Sequence, residues 1–222
     1  MLLPSLRLSL EVALLATLLA AAAAVPLAWW VAAGSRARCR PPGGRGRGLL
    51  PRIAEAAVLL PLVLPPTVVG YAGVLLLGRH GPAGWIGFPL VFTLPGAVLA
   101  AALVALPLVY LPARAAFEAL EPGLLDAAHQ LGAGRLALLR HVALPMARGG
   151  IAAGLVLGFA RALGEFGATL MVFGWQPGRT TLPIAIYAAF ERGDLRAAAA
   201  PAACLAALAL AAVLAERFFR GR

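Results

Sequence analysis

The sequence contains no lysine, few charged residues of any kind and only two cysteines. All 19 basic residues are arginine, and charged residues make up 13% of the 222-residue chain, about half the share in an ordinary globular domain. Without lysine the chain cannot form the Gly-x-x-x-x-Gly-Lys loop that holds nucleotide phosphates. Cys39 and Cys204 lie too far apart in sequence and setting to indicate a disulfide framework, and the three histidines lack metal-ligand spacing. We therefore predict no ATP hydrolysis by this chain, no bound metal or cofactor and no redox chemistry.

Apolar residues are present in excess. They form 62% of the chain, and the mean hydropathy is +0.89, whereas roughly 45–50% of an ordinary domain is apolar. A chain of this size has too little interior to bury so much apolar surface, so its solvent must be lipid. The composition predicts an integral membrane protein. A membrane enzyme is disfavoured, because no apolar segment carries an acid–base or metal cluster.

Five segments are long and apolar enough to cross a bilayer of about 30 Å, which takes about 20 helical residues. They are Leu8–Ala33, Ile53–Leu77, Leu90–Leu111, Gly150–Phe173 and Ala197–Phe218. The sequence therefore predicts an all-α, polytopic membrane helix bundle that forms a single domain over residues 1–222.

The first segment also resembles a secretory signal peptide. Arg7 precedes an apolar run that contains the small residues Ala20–Ala24. However, the run continues to Trp29 and Trp30, which makes it longer than a typical signal-peptide core, and tryptophans suit a membrane interface. We favour a retained membrane helix.

Arginines are concentrated in alternate connections between the apolar segments. Thirteen lie after the first segment, after the third and near the C-terminus: Arg36, Arg38, Arg40, Arg45, Arg47, Arg52, Arg114, Arg135, Arg140, Arg148, Arg217, Arg220 and Arg222. Five lie on the opposite side: Arg7, Arg79, Arg179, Arg192 and Arg196. By the positive-inside rule, the N-terminus is predicted to be outside and the C-terminus cytoplasmic.

The net charge of +10 also raises the possibility of nucleic-acid binding. The arginines are not gathered on one polar face, so we predict contact with membrane lipid rather than with nucleic acid. Residues 34–52, rich in Gly, Pro and Arg, are predicted to be a flexible cytoplasmic linker.

Residues 121–145, between the third and fourth segments, are too polar to span the membrane and too apolar for a solvated loop. Apolar residues with helical spacing follow Pro122, and Gly132-Ala-Gly134 is predicted to end this helix. A second short helix is predicted over Arg135–Val142, ending before Leu144-Pro145. Such an amphipathic pair has no core of its own, so we expect it to dock into a partner's groove. The alternative is an interfacial helix that lies on lipid.

This segment resembles the coupling motif of binding-protein-dependent ABC importer permeases. The family pattern is Glu-Ala-Ala, three residues, Gly, nine residues, Ile, one residue and Leu-Pro. Here Asp126 stands for Glu and Val142 for Ile, and the other matching positions are Ala127, Ala128, Gly132, Leu144 and Pro145. The resemblance implies a type I ABC importer transmembrane fold, in which residues 121–145 form a cytoplasmic coupling element that inserts into a separate ATPase subunit.

The fourth segment carries two charged residues, Arg161 and Glu165. A charge at mid-bilayer costs about 2.5–3.5 kcal/mol, whereas a pair four residues apart on a helix returns only about 0.2–0.5 kcal/mol. Both side chains must therefore face other helices or a water-lined pathway. A gating role and a packing role remain equally open. Gly164 and Gly167, with Ala168, are predicted to allow close helix contact.

Arg161–Gly167 is similar to a segment of both molybdate and sulfate importer permeases. Two other stretches, Ala168–Tyr187 and Leu60–Pro82, resemble the molybdate subunit in particular. Within the second stretch, Pro61, Pro65 and Pro66 are predicted to interrupt the second span, and freed carbonyls are tolerated only where they face protein or a water-lined cavity. We count Pro65 and Pro66 among the pathway or gate candidates, together with Arg161, Gly164 and Glu165. Simple packing kinks are the alternative for the prolines.

The resemblance implies a bacterial or archaeal inner-membrane importer for molybdate. The expected partners are two ABC ATPase subunits, which use ATP and Mg, a second copy of this chain and an extracytoplasmic molybdate-binding protein. A sulfate or tungstate importer is the nearest alternative. A small channel or membrane assembly protein is the alternative from another class, and the Asp126–Pro145 motif argues against it.

Overall fold

The computed structural model describes residues 2–36 and 49–220. Within those ranges the chain is helical and contains no strand. The helices are α1 Leu2–Arg36, α2 Leu49–Val63, α3 Pro66–Leu77, α4 Pro82–Trp85, α5 Leu94–Glu118, α6 Pro122–Gln130, α7 Arg135–Leu138, α8 Leu144–Leu163, α9 Gly167–Phe173, α10 Leu182–Glu191 and α11 Leu195–Arg220. A π-helical segment, Leu139–Ala143, joins α7 to α8. The middle of the predicted linker, residues 37–48, lies outside the described residues, and the ends of that linker belong to α1 and α2.

The centre of the bundle is formed by α1, α5 and α8. On α1 the buried face is a row of small residues spaced four apart, Ala16, Ala20, Ala24, Ala28 and Ala32. Close approach of backbones through small residues is how membrane helices gain packing energy where lipid offers no hydrophobic drive. The first predicted segment therefore packs as an integral part of the bundle.

A row of glycines on α8 faces α5. A Cβ atom added to Gly154 would lie 2.9 Å from the Val109 carbonyl oxygen, and one added to Gly158 would lie 2.5 Å from a Val109 methyl group. Gly150 meets Ala116 in the same way. The spacing of four places all three glycines on one face of the helix, so α8 and α5 pack with almost no side chain between them.

In the part of the chain that the structure describes, four helices are long and apolar enough to cross a bilayer: Leu2–Ala33, Leu94–Glu118, Leu136–Leu163 and Leu195–Arg217. A fifth span exists if the pair Leu49–Val63 and Pro66–Trp85, bent by 118°, counts as one. The predicted number of five holds on that basis. Pro65 and Pro66 do interrupt the second span, but the prediction is wrong for Pro61, which lies inside α2. The change of direction, 118°, is far larger than a kink.

The predicted fourth span, Gly150–Phe173, is wrong in its extent. The apolar helix begins earlier, at Leu136, and ends at Leu163, and a separate helix α9 begins at Gly167. The apolar run is continuous across this break, so hydropathy alone does not detect it.

Candidate functional site

The predicted turn of residues 121–145 is present. Helix α6 ends at Gln130, and Gly132 adopts φ +85°, a left-handed conformation that glycine reaches without steric penalty. The Ala133 amide donates to the Ala128 carbonyl at 3.1 Å, which is the six-residue bond of a Schellman motif. Gly132 is therefore the residue that allows the chain to turn out of α6.

The second half of the segment differs from the prediction. A short helix ending before Leu144-Pro145 was expected, but α7, the π-helical segment and α8 form one continuous helix. Pro145 has no N–H and its ring crowds the carbonyl four residues earlier. The Leu144 amide instead donates to the Leu139 carbonyl, five residues back. The wider π turn accommodates the proline without ending the helix.

One face of the coupling element is anchored to the bundle and the other is exposed. Leu125 and Ala143 are buried, and Val142 and Leu144 pack against the same core. The exposed motif residues are Asp126, Ala127, Gly132 and Pro145, while Ala128 is half-buried.

Three leucines of the coupling element are exposed, and Leu124, at 41%, is the least so. Leu131 is 89% exposed and Leu136 is 65% exposed. Exposed large apolar side chains on a segment whose other face is packed are typical of a docking surface, so the predicted docking to a partner stays a prediction with a suitable surface.

The two helix breaks of the bundle lie against each other. Pro65 and Pro66 open α3, and a Cβ atom added to Gly167, at the start of α9, would lie 3.1 Å from Cβ of Pro66. One added to Gly70 would lie 2.8 Å from Cα of Ala168. We call Pro65, Pro66 and residues 164–167 the break junction. Sequence reasoning placed Pro65, Pro66, Gly164 and Glu165 in the pathway but missed Gly70 and Gly73, whose spacing of three on α3 was the available signal.

The prolines of the break junction free backbone acceptors. Because Pro65 and Pro66 have no N–H, the carbonyls of Pro61 and Leu62, four residues earlier, have no helical donor. In a bilayer such carbonyls are tolerated where they face protein or water. These two carbonyls are therefore predicted to face protein or water, and the pathway role of the junction stays a prediction.

Glu165 connects the two sides of the α8–α9 break. Its Oε2 pairs with Nη1 of Arg161 at 2.7 Å, and its Oε1 accepts a hydrogen bond from the Ala168 amide at 2.7 Å. Glu165 is 2% exposed, whereas the Arg161 side chain is 30% exposed. The predicted ion pair is present, although Glu165 lies beyond the end of α8 rather than on a continuous helical face.

Gly164 has a different role from its neighbours. It is exposed, and a Cβ atom there would meet only the Ala160 carbonyl oxygen at 3.6 Å. Gly167 and Ala168 do make the close contacts predicted for all three residues. Along α8, Arg161 lies about 24 Å from Pro145 at 1.5 Å per residue, so the break junction and the coupling element are separate parts of the site joined by this helix.

Comparison with known proteins identifies relatives over almost the whole chain. A family model described as the binding-protein-dependent transport system inner membrane component matches residues 24–222. The chain is 39% identical over 212 residues to the molybdenum transport system permease protein ModB of Escherichia coli (strain K12), covering 93% of this chain and 87% of that protein. It is 40% identical over 191 residues to ModB of Azotobacter vinelandii, covering 83% and 79%.

Solved structures share the fold at low identity. A bacterial ABC transporter involved in the import of the acidic polysaccharide alginate matches with a TM-score of 0.71 and 19% identity, covering 99% of this chain and 79% of that one. An amino acid ABC transporter matches with a TM-score of 0.64 and 20% identity, covering 100% and 93%. The predicted all-α fold of an ABC importer membrane subunit is confirmed, and with its several apolar helices the chain is a multi-pass membrane protein.

Proposed function

The chain belongs to the binding-protein-dependent transport system inner membrane component family, and from this premise we propose that it is the membrane-spanning subunit of an ATP-driven importer of molybdate. The chain is a transporter subunit and not an enzyme. The observation that carries the substrate is its 39–40% identity, over most of its length, to proteins named molybdenum transport permeases.

The coupling element supplies the mechanical link to ATP. Its inner face packs into the core of the bundle, and its exposed leucines present an apolar surface to the cleft of an ATPase subunit. ATP and Mg bind to that partner, whose closure pulls the elements of two permease copies together and turns the pathway outward. Release of the hydrolysis products returns the pathway to its starting orientation.

The break junction is the proposed gate of the pathway. Arg161 is partly exposed and cationic, while buried Glu165 holds both helix ends of the break. A change in the angle between α8 and α9 would move the junction against Pro66 and alter the opening. The oxyanion need not bind tightly here, because a deep site would slow its release, and selectivity resides in the extracytoplasmic binding protein.

Molybdate uptake in a permease-deficient cell tests this function, with the ATPase and binding protein supplied. We expect uptake by the wild type and its loss in Gly132→Pro at equal membrane levels, because proline cannot adopt φ +85°. Gly134→Ala is the matched control, since a Cβ atom at Gly134 meets nothing within 4 Å.

The outcomes separate the parts of the proposal. Uptake that survives Gly132→Pro contradicts the coupling role. Absence of molybdate uptake by the wild type, with sulfate or tungstate carried instead, contradicts the substrate. Failure to co-purify any ATPase would favour a channel or assembly protein.

A further inference from the structure

Three charged side chains form a cluster away from the break junction and the coupling motif. Arg114 of α5 pairs through Nη1 with Glu55 of α2, and its Nε donates to Glu118, one turn later on α5, at 2.9 Å. The side chains of Arg114 and Glu55 are only 18% and 15% exposed, whereas that of Glu118 is 38% exposed. The pair between α5 and α2 is therefore the sheltered one.

The cluster lies at the end of α5 that leads into the coupling element. Phe117 and Leu120, just beyond Arg114, are buried, and the Phe117 ring meets Trp29 of α1 at 5.4 Å. Helix α6 begins at Pro122. This end of α5 is packed into the core of the bundle, so we expect a displacement of the coupling element to reach Arg114.

Helix α2 has few other attachments. Within α2 only Val58 is buried, while Ile53, Leu60 and Val63 are more than half exposed. The helix nevertheless leads directly to Pro65 and the break junction. A helix with so little buried surface depends on specific contacts for its position.

We propose that Arg114 is a positioning residue that ties α2 to the coupling end of α5, so that movement of the coupling element is transmitted to the broken second span. This inference rests on the proposed transport function. The ion pair joins the first turns of α2 to the end of α5 before the coupling element. Movement of α5 would therefore move α2, and α2 would move the break junction at its other end.

The first experiment measures molybdate transported per ATP hydrolysed, with the ATPase and binding protein reconstituted in liposomes. Glu55→Arg and Arg114→Glu are each expected to lower this ratio by between about twofold and thirtyfold, the range for residues that carry coupling. The double exchange Glu55→Arg/Arg114→Glu should restore it. Glu118→Gln is the matched control and should leave the ratio unchanged, because Glu118 lies on the same helix as Arg114.

Two results would overturn the proposal. One is a normal ratio in either single variant. The other is a double exchange that assembles and hydrolyses ATP like the wild type but does not regain the ratio. If the charge reversals do not assemble, the milder Glu55→Gln decides: it removes the negative charge on α2 that pairs with Arg114, and an unchanged ratio contradicts the proposal.

A second measurement is independent of substrate. Spin labels at Ile53→Cys and Glu121→Cys, with Cys39 and Cys204 replaced by serine, report the distance between α2 and the coupling element. We expect ATP binding to leave this distance unchanged when Arg114 is present and to change it in Arg114→Ala. The same change in distance with Arg114 and with Arg114→Ala would contradict the proposed link between α2 and α5. A wild type that carries no molybdate contradicts only the proposed function.

Discussion

Single residues differ in how far the sequence predicts their role. Gly132 was identifiable because a left-handed helix end demands glycine, and the structure places it there with φ +85°. Glu165 was identifiable as an ion-pair partner of Arg161, but its second bond, to the Ala168 amide, depends on the helix break. Nothing in the local sequence predicts that break, since Gly164 alone is tolerated inside helices.

Glu165→Gln is expected to weaken the closed position of the break junction. Glutamine retains an oxygen for the Ala168 amide, but it removes the negative charge that faces Arg161. The remaining guanidinium then lacks its anionic partner in an apolar region, where an uncompensated charge costs about 2.5–3.5 kcal/mol. We expect the complex to assemble with a lower Tm and to hydrolyse ATP with little molybdate uptake, measured on matched proteoliposomes.

The double variant Arg161→Gln/Glu165→Gln distinguishes the cost of an unpaired charge from the loss of a gating role. It should recover most of the Tm, because the unpaired charge is gone, while uptake per ATP stays low. Recovery of both quantities would assign the pair to packing, and loss of assembly in Glu165→Gln alone would do the same.

At the scale of whole elements, hydropathy predicted where apolar helices occur but not where they bend. Averaging over some 19 residues hides both the α8–α9 break and the 118° turn at Pro65. The prolines signalled an interruption of the second span, whereas the angle is set by packing, with Gly70 against Ala168 and Gly73 against Val172. The continuous helix through Pro145 was missed because a π turn has no simple sequence signature.

The row of glycines on α8 predicts that a larger side chain there will disrupt the contact between α8 and α5. Gly154→Leu should separate α8 from α5, since even a Cβ atom would lie 2.9 Å from the Val109 carbonyl oxygen. Overpacking of this kind typically costs about 1–3 kcal/mol, and here the obstacle is backbone that cannot rotate away. Thermal unfolding in detergent should show a clear drop in Tm.

Ala206→Leu is the control for added bulk. Ala206 lies on α11 and is exposed, so the larger side chain should leave the Tm nearly unchanged. An equal drop in both variants, or none in Gly154→Leu, would contradict the close α5–α8 contact.

At the scale of the molecule, burial is unevenly divided among the spans. In the most apolar 18 residues of each helix, 56% of residues are buried for Leu94–Glu118 but only 6% for Leu195–Arg217. Helix α5 is thus central, and α11 lies at the margin of the bundle, where lipid or another chain must cover it. The composition predicted this much, because a single chain of this size cannot bury its own apolar surface.

The arrangement of the whole chain across the membrane supplies the last prediction. Thirteen arginines lie on one set of connections and five on the other, and such a bias places the richer side in the cytoplasm. We therefore predict that the coupling element lies on the cytoplasmic side, where the ATPase is, and that the turn at Arg192 faces outward. In cells that lack the ATPase, and with Cys39 and Cys204 replaced by serine, a membrane-impermeant maleimide should label Arg192→Cys in intact cells and Leu131→Cys only after permeabilisation. Both positions are exposed, so reagent access reports sidedness rather than burial. The reverse pattern would place the coupling element outside the cell, away from any ATPase, and would contradict both the orientation and the transport mechanism that depends on it.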